Sequence, residues 1–181
     1  MATFLLLLAL LAILIFASIP SIVAFLVGAP FVPTPMRAVK KMLKISGIKK
    51  GQKIYDIGCG DGRIVHHASK HYGADAVGYE LSPPVYVMAK LRGLFLKSKA
   101  KIVFGDFRKQ NISDADFILC YMLPRTMKNF RKKFEKEMKK GAKIISYAFN
   151  IHDWKPIHKE ERDAKTRTAP IWVYEIGKHK E

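Results

Sequence analysis

Residues 53–62 read Lys-Ile-Tyr-Asp-Ile-Gly-Cys-Gly-Asp-Gly, and this stretch determines the fold expected of the 181-residue chain. Its first half is a short, mostly apolar run, which is typical of a buried β-strand. Its second half has glycine at alternate positions, and glycine lets a backbone turn tightly and approach a ligand without an intervening Cβ. We therefore expect a strand that ends at a ligand-binding turn and leads into a helix.

The remainder of the sequence alternates in the same way between short apolar runs and helical stretches. Such alternation predicts a Rossmann-like, doubly wound α/β fold with a mostly parallel sheet and helices on both faces. Two final β-rich pieces with no helix between them predict an antiparallel C-terminal edge. The expected strands are 53–58, 74–80, 101–106, 116–122, 143–149, 157–165 and 171–176, and the expected helices are 62–72, 124–140 and one beginning at Ser82.

Three acidic residues, Asp56, Glu80 and Asp106, stand within or at the ends of three successive predicted strands. Open α/β sheets bind ligands in the crevice at the carboxyl ends of their strands. A dinucleotide site would have the spacing Gly-x-Gly-x-x-Gly, so that a pyrophosphate meets a helix N-terminus. This chain instead has Gly-x-Gly-x-Gly after an acidic residue, and the spacing favours S-adenosylmethionine, which carries no phosphate.

The first 36 residues contain no charged side chain, and Phe4 to Val27 is apolar apart from Ser18 and Ser21. As a helix at ~1.5 Å per residue this segment would reach roughly 36 Å, which exceeds the ~30 Å hydrocarbon core of a bilayer. We expect a single-pass transmembrane anchor (1–29) rather than a cleaved signal peptide, because a basic n-region is missing and the apolar stretch is long. Basic residues follow the anchor, so the positive-inside rule puts the domain in the cytoplasm, or in the matrix of an organelle.

Residues 30–50 form a basic amphipathic segment between the anchor and the domain (51–181). Met36, Val39, Met42 and Leu43 share one face of a predicted helix, which either covers the domain or lies on anionic lipid headgroups. The net charge of +17 belongs entirely to the part after the anchor and favours an anionic partner, which is a nucleic acid, a lipid surface or an acidic protein. Neither of the two cysteines has a metal-ligand spacing, so we expect no metal.

With these features in place, residues 51–149 resemble class I S-adenosylmethionine-dependent methyltransferases. A narrower group of methyltransferases is indicated when the motifs inside this range are combined with those on either side of it. The motifs are Pro30-Phe31-Val32-Pro33, Asp-Ile-Gly-x-Gly-Asp-Gly-Arg-Ile-Val, Val77-Gly78-Tyr79-Glu80-Leu81, Trp154-Lys155-Pro156 and Trp172-x-Tyr174. Together they are similar to the membrane-anchored protein-lysine methyltransferases, whose eukaryotic members act in mitochondria on the ATP synthase c subunit and the adenine nucleotide translocase. The resemblance implies S-adenosylmethionine as cofactor and a lysine of a membrane protein as acceptor.

The resemblance also implies site residues. The methionine end of the cofactor would be held by Asp56 and by Gly58, Cys59 and Gly60. Glu80 would contact the ribose and Asp106 the adenine amino group, with Leu81 or Phe107 covering the ring. Cys120, at the end of the fourth strand, would lie beside the transferred methyl group.

Two aromatic residues are the candidates for the part of the site that binds the methyl acceptor. We expect Tyr121 to line the acceptor channel and Trp154 to wall it, although a purely structural role is an equal alternative for Trp154 and nearly so for Tyr121. DNA and RNA amino-methyltransferases typically carry Asn/Asp-Pro-Pro-Tyr/Phe where this chain has Cys120-Tyr121-Met122-Leu123. An RNA, DNA or small-molecule methyltransferase recruited to the membrane is therefore the second hypothesis, and a non-catalytic S-adenosylmethionine-binding module is the third.

Overall fold

A computed structural model describes residues 1–27 and 31–179 of the chain. The helices are α1 (Ala2–Val27), α2 (Met36–Ser46), α3 (Arg63–Tyr72), α4 (Pro83–Leu96) and α5 (Pro124–Glu137), with a 3-10 helix at Phe107–Lys109. The strands are β1 (Lys53–Ile57), β2 (Asp75–Glu80), β3 (Lys101–Phe104), β4 (Phe117–Cys120), β5 (Lys143–Tyr147), β6 (His158–Glu160) and β7 (Ile171–Glu175).

The seven strands form one sheet in the order β3-β2-β1-β4-β5-β7-β6. The first five strands along the chain pair in parallel, and Ile57 of β1 stands beside Tyr79 of β2 and Cys120 of β4. Strand β7 runs antiparallel to both β5 and β6. The predicted doubly wound sheet with an antiparallel C-terminal edge is confirmed, and the order reverses between β1 and β4, where such sheets form their crevice.

Two apolar layers cover the sheet. Helices α2 and α3 and Ala89 of α4 belong to the layer on one face, and α5 packs in the layer on the other through Phe130 and Phe134. The two cysteines are divided in the same way: Cys59, in the turn after β1, lies in the first layer, and Cys120, at the end of the neighbouring β4, lies in the second. Their thiols therefore belong to opposite sides of the sheet.

Helix α2 is part of the domain's core. Ala38, Val39, Met42 and Leu43 are fully buried, and the helix contacts α3 and β5. Of the apolar face predicted from the sequence, only Met36 stays exposed. Of the two alternatives for this segment, packing against the domain is therefore the one that the structure shows.

Helix α1 precedes the domain and presents a row of large apolar side chains to its surroundings. Those that are exposed are Phe4, Leu5, Leu6, Leu7, Leu8, Leu10, Leu11, Ile13, Leu14, Ile15 and Ile22. The sequence predicts that this first segment spans a bilayer. Within residues 1–27 and 31–179, however, no helix is both long enough and apolar enough to do so. The predicted boundary between the anchor and the basic segment, at residues 29 and 30, lies outside the described residues.

Candidate functional site

The glycine-rich turn after β1 is shaped by backbone angles that favour glycine. Gly58 and Gly60 have φ values of 65° and 59°, in the left-handed region. A Cβ on Gly60 would lie 2.6 Å from the ring of Phe31, so this glycine also permits a close approach. The N–H of Cys59 donates to the carbonyl of Tyr79 at 2.9 Å and ties the turn to β2.

Glu80, at the end of β2, faces this turn. Its Oε2 accepts a hydrogen bond from the N–H of Gly60 at 2.9 Å, and its Oε1 accepts from the N–H groups of Leu81 and Ser82 at 2.9 and 2.8 Å. The side chain is buried but lines the cavity described below. Each carboxylate oxygen has more than one lone pair, so the backbone fixes the group while leaving it able to accept from a ribose hydroxyl.

Asp56 lies inside β1, beneath the turn, and is buried. Within the described part of the chain its Oδ2 has no hydrogen-bond partner. Burial, together with the nearby carboxylates of Glu80 and Asp61, raises the pKa of Asp56 well above its usual range. A buried carboxylate oxygen without a partner is costly, and an ammonium group placed in the cavity would supply both a hydrogen-bond donor and the opposite charge. The residues present therefore fit the amino-acid end of S-adenosylmethionine.

Asp106 follows β3 and begins the 3-10 helix, accepting from the N–H of Arg108 at 2.9 Å. The Arg108 guanidinium also pairs with this carboxylate, and hydrogen bonding to it lowers the pKa of Asp106. Phe107 is buried with its ring edge against Tyr79 at a centroid distance of 5.6 Å. Asp106 and Phe107 both line the cavity, as the sequence predicts for an adenine subsite.

These groups line one cavity at the carboxyl edge of the sheet. Of the predicted cofactor residues it includes all except Cys120. Its lining also includes Phe31, Val32, Pro33, Thr34, Asp61, Arg63, Tyr121, Met122, Thr126 and Asn129. The ends of four strands, β1 to β4, and the segment before α2 therefore meet around one space, which is the arrangement expected of a site for a nucleoside-sized ligand.

The segment 31–34, here called the strap, is a part of the site that sequence reasoning missed. Arg63 holds it in place by donating from Nη1 to the Thr34 carbonyl at 2.8 Å, while its Nε and Nη2 donate to the Asp61 carboxylate at 2.9 and 2.7 Å. Arg92 of α4 pairs with the same Asp61 carboxylate. In the sequence the strap stands out only through the family resemblance. The signal that could have revealed the strap is Arg63, directly after the glycine-rich turn, because an arginine there can donate to a carbonyl of another segment.

Tyr121 follows β4 and also lines the cavity. Its ring meets Tyr147 edge-on at 5.0 Å between centroids and stacks on Phe149 at 6.1 Å. We call Tyr121, Tyr147 and Phe149 the aromatic cluster. Because only Tyr121 of the three lines the cavity, its contact with an acceptor stays a prediction that the geometry permits.

Two predicted site residues are not brought to the cavity. Cys120 is fully buried with its Sγ 3.7 Å from the sulfur of Met127, and burial raises the pKa of its thiol to about 12. Trp154 is buried against Tyr174 and His179, with ring centroids 5.9 and 4.0 Å away. Both side chains therefore pack in the core layer that contains α5, and for Trp154 the structural alternative fits this position.

Comparisons with known proteins identify the family of this chain. The sequence model of a family described as "ANTKMT methyltransferase domain" matches residues 56–158. The chain is 32% identical over 154 residues to a protein-lysine N-methyltransferase of Saccharolobus islandicus (strain REY15A), covering 83% of this chain and 96% of that protein. It is also 32% identical over 150 residues to the lysine N-methyltransferase of the ATP synthase c subunit from Rattus norvegicus, covering 82% of this chain and 67% of the relative.

Among solved structures, the chain is similar to an RNA methyltransferase from Salinibacter ruber in complex with S-adenosyl-L-homocysteine. The TM-score is 0.75 and the identity 27%, and the match covers 80% of this chain and 94% of the other. That structure holds the product of a methyl transfer from S-adenosylmethionine, in agreement with the cofactor inferred from the turn and the carboxylates.

Proposed function

Because the chain belongs to the ANTKMT methyltransferase family, we propose that it transfers a methyl group from S-adenosylmethionine to the side-chain amine of a lysine in a membrane protein. The observation that carries the lysine acceptor is the 32% identity to a protein-lysine N-methyltransferase over 96% of that relative's length. The membrane protein is inferred from the rat relative, whose name specifies the ATP synthase c subunit.

In the reaction, S-adenosylmethionine supplies an electrophilic methyl carbon on a sulfonium. The N–C bond to the lysine forms as the C–S bond breaks, and the amine loses a proton to water. The chain's own residues would bind and orient the cofactor: Asp56 would hold the ammonium, Glu80 the ribose and Asp106 the adenine. Positioning of this kind can lower the activation barrier by up to about 7–11 kcal/mol.

A lysine acceptor must be neutral to react, and its unperturbed pKa is about 10.4. Tyr121 gives the cavity an aromatic wall after β4, and the rings of Tyr147 and Phe149 pack against it. Such surroundings disfavour the ammonium form and lower the pKa of a lysine that enters. We therefore assign the aromatic cluster the role of desolvating the acceptor.

The N-terminal segment is proposed as the membrane anchor, with the domain on the cytoplasmic or matrix side. Support comes from the sequence, in which the first 36 residues lack charged side chains and Arg37 begins a basic run. Alkaline carbonate extraction of membranes tests the anchor: an anchored chain stays in the pellet, and release into the supernatant would contradict it.

The acceptor is tested by incubating isolated membranes with the purified chain and tritiated S-adenosylmethionine. We expect label in a small membrane protein, located at a lysine by mass spectrometry, and no label with Asp56→Asn. Label that is removed by nuclease would instead favour a nucleic acid as the acceptor. Nucleic acid is the second candidate because the chain is similar to an RNA methyltransferase and has a net charge of +17. Cofactor binding without any label would favour a non-catalytic module.

A further inference from the structure

The outer face of α4 is apolar and exposed. Val87, Met88, Leu91, Leu94 and Phe95 are all exposed, and Leu94 and Phe95 reach 73% and 86%. Their spacing of i, i+1, i+4, i+7 and i+8 places them on one side of a helix. We call these five residues the α4 face. Contiguous exposed apolar surface of this kind marks an interaction site more often than a free surface.

Charge around the α4 face has a single sign. Residues 81–105 contain no aspartate or glutamate, whereas they include Lys90, Arg92, Lys97, Lys99 and Lys101. Arg92 is paired with Asp61, and the four lysines are exposed. An apolar stripe with lysines at its borders is the pattern of a helix that lies in a membrane interface, where the lysine heads meet anionic headgroups.

Two neighbouring features extend the same surface. Helix α1, which exposes the apolar side chains named above, contacts α4. Phe104 of the edge strand β3 is also exposed, and its ring lies 5.6 Å from that of Tyr86 on α4. Exposed apolar side chains are therefore present on α4 and on two elements that contact it, α1 and β3.

From these observations we propose that the α4 face docks on the surface of an anionic lipid bilayer. A second copy of the chain would bring lysines against lysines around the same stripe, and an apolar protein partner would need an acidic rim to match it. Ser82, directly before α4, and Val85, in its first turn, line the cavity, so docking would hold the cofactor site beside the bilayer surface. The inference does not depend on which acceptor is methylated.

The test uses the full chain with vesicles of phosphatidylcholine, either alone or mixed with phosphatidylglycerol, that carry a spin-labelled lipid as fluorescence quencher. Phe95→Trp reports on the α4 face, and Ile157→Trp is the matched control because Ile157 is an exposed apolar residue just before β6, at the opposite edge of the sheet. We expect the emission of the first variant to shift to the blue and be quenched, and that of the second to be unchanged.

Charge dependence is tested in the Phe95→Trp background. Lys90→Gln, Lys99→Gln and Lys101→Gln together should reduce quenching by phosphatidylglycerol vesicles several-fold. The matched control removes three exposed cations of α5, on the other face of the sheet, with Lys128→Gln, Lys132→Gln and Lys136→Gln, and should have no effect. Equal emission of Phe95→Trp with and without vesicles would overturn the proposal. So would quenching that requires an added acceptor protein, or self-association that hides residue 95.

Discussion

The carboxylate of Glu80 accepts a hydrogen bond from the backbone N–H of Gly60 at 2.9 Å, which joins the end of β2 to the turn after β1. The other carboxylate oxygen accepts from the N–H groups of Leu81 and Ser82. An amide has only one acceptor oxygen, so Glu80→Gln would place its NH₂ group against a backbone N–H on one of the two sides. We expect affinity for S-adenosylmethionine, measured by calorimetry, to fall by about 10–100-fold, from a loss of about 1.5–3 kcal/mol per charged hydrogen bond. Glu161→Gln, at an exposed glutamate paired with Lys159, is the control and should bind normally.

Comparing Gly60→Ala with a second glycine variant distinguishes backbone strain from crowding of the cofactor site. An alanine with a left-handed backbone costs about 1–2 kcal/mol, and its Cβ would displace the Phe31 ring. The matched variant is Gly47→Ala, since Gly47 has φ 69° and nothing within 4 Å of a built Cβ. We expect both variants to lose similar stability in urea unfolding, and only Gly60→Ala to bind S-adenosylmethionine at least tenfold more weakly. Equal affinities would show that Phe31 does not form a cofactor wall.

Asp56 makes cofactor binding depend on pH. Its folded-state pKa is raised, so at acid pH the carboxyl is neutral and cannot pair with an ammonium. Affinity for S-adenosylmethionine should therefore rise as the pH increases from the usual aspartate value through the raised one. Calorimetry across this range checks the slope, and Asp56→Asn should bind weakly with a flatter profile. A slope that persists in Asp56→Asn would assign the titration to another group.

Tyr121 should act through its ring. Tyr121→Ala removes the contacts with Tyr147 and Phe149 and opens the apolar wall, and we expect kcat/KM for a lysine acceptor to fall about 100-fold, or ~2.7 kcal/mol. Tyr121→Phe keeps the ring and should retain activity within a few-fold. If Tyr121→Phe is as impaired as Tyr121→Ala, the hydroxyl rather than the ring is required.

Trp154→Phe distinguishes packing from catalysis. The indole is buried against Tyr174 and His179, so a smaller ring should lower the free energy of unfolding by about 1–3 kcal/mol. The kcat/KM of the folded enzyme should be unchanged. A lower kcat/KM without loss of stability would instead support the hypothesis that Trp154 lines the acceptor channel.

The parts of the site that follow directly from strand ends could be predicted from the sequence. Glu80 ends β2 and Asp106 follows β3, and parallel strands bring their carboxyl ends to one edge. The direction of a side chain within a buried strand could not be predicted in the same way, because both faces of the sheet are apolar and the alternation of polar residues is lost. The prediction that Cys120 lies in the site is therefore wrong, since its thiol lies among the side chains beneath α5.

Contacts between segments far apart in sequence were also beyond prediction. The amphipathic pattern of α2 shows that one face is buried but not whether a protein core or lipid covers it. Trp154 lies in a loop, where no periodic pattern fixes the path of the chain. The hydrogen bond from Arg63 to Thr34 spans 29 residues, and only the folded structure reveals it.

The strap has a practical consequence for anyone who shortens this protein to make it easier to purify. Because residues 31–34 connect α1 with α2 and also border the cofactor cavity, a cut at residue 35 would leave a folded sheet with one side of its nucleoside pocket missing. Truncation for solubility should therefore stop before Phe31, or loss of binding will be mistaken for loss of function.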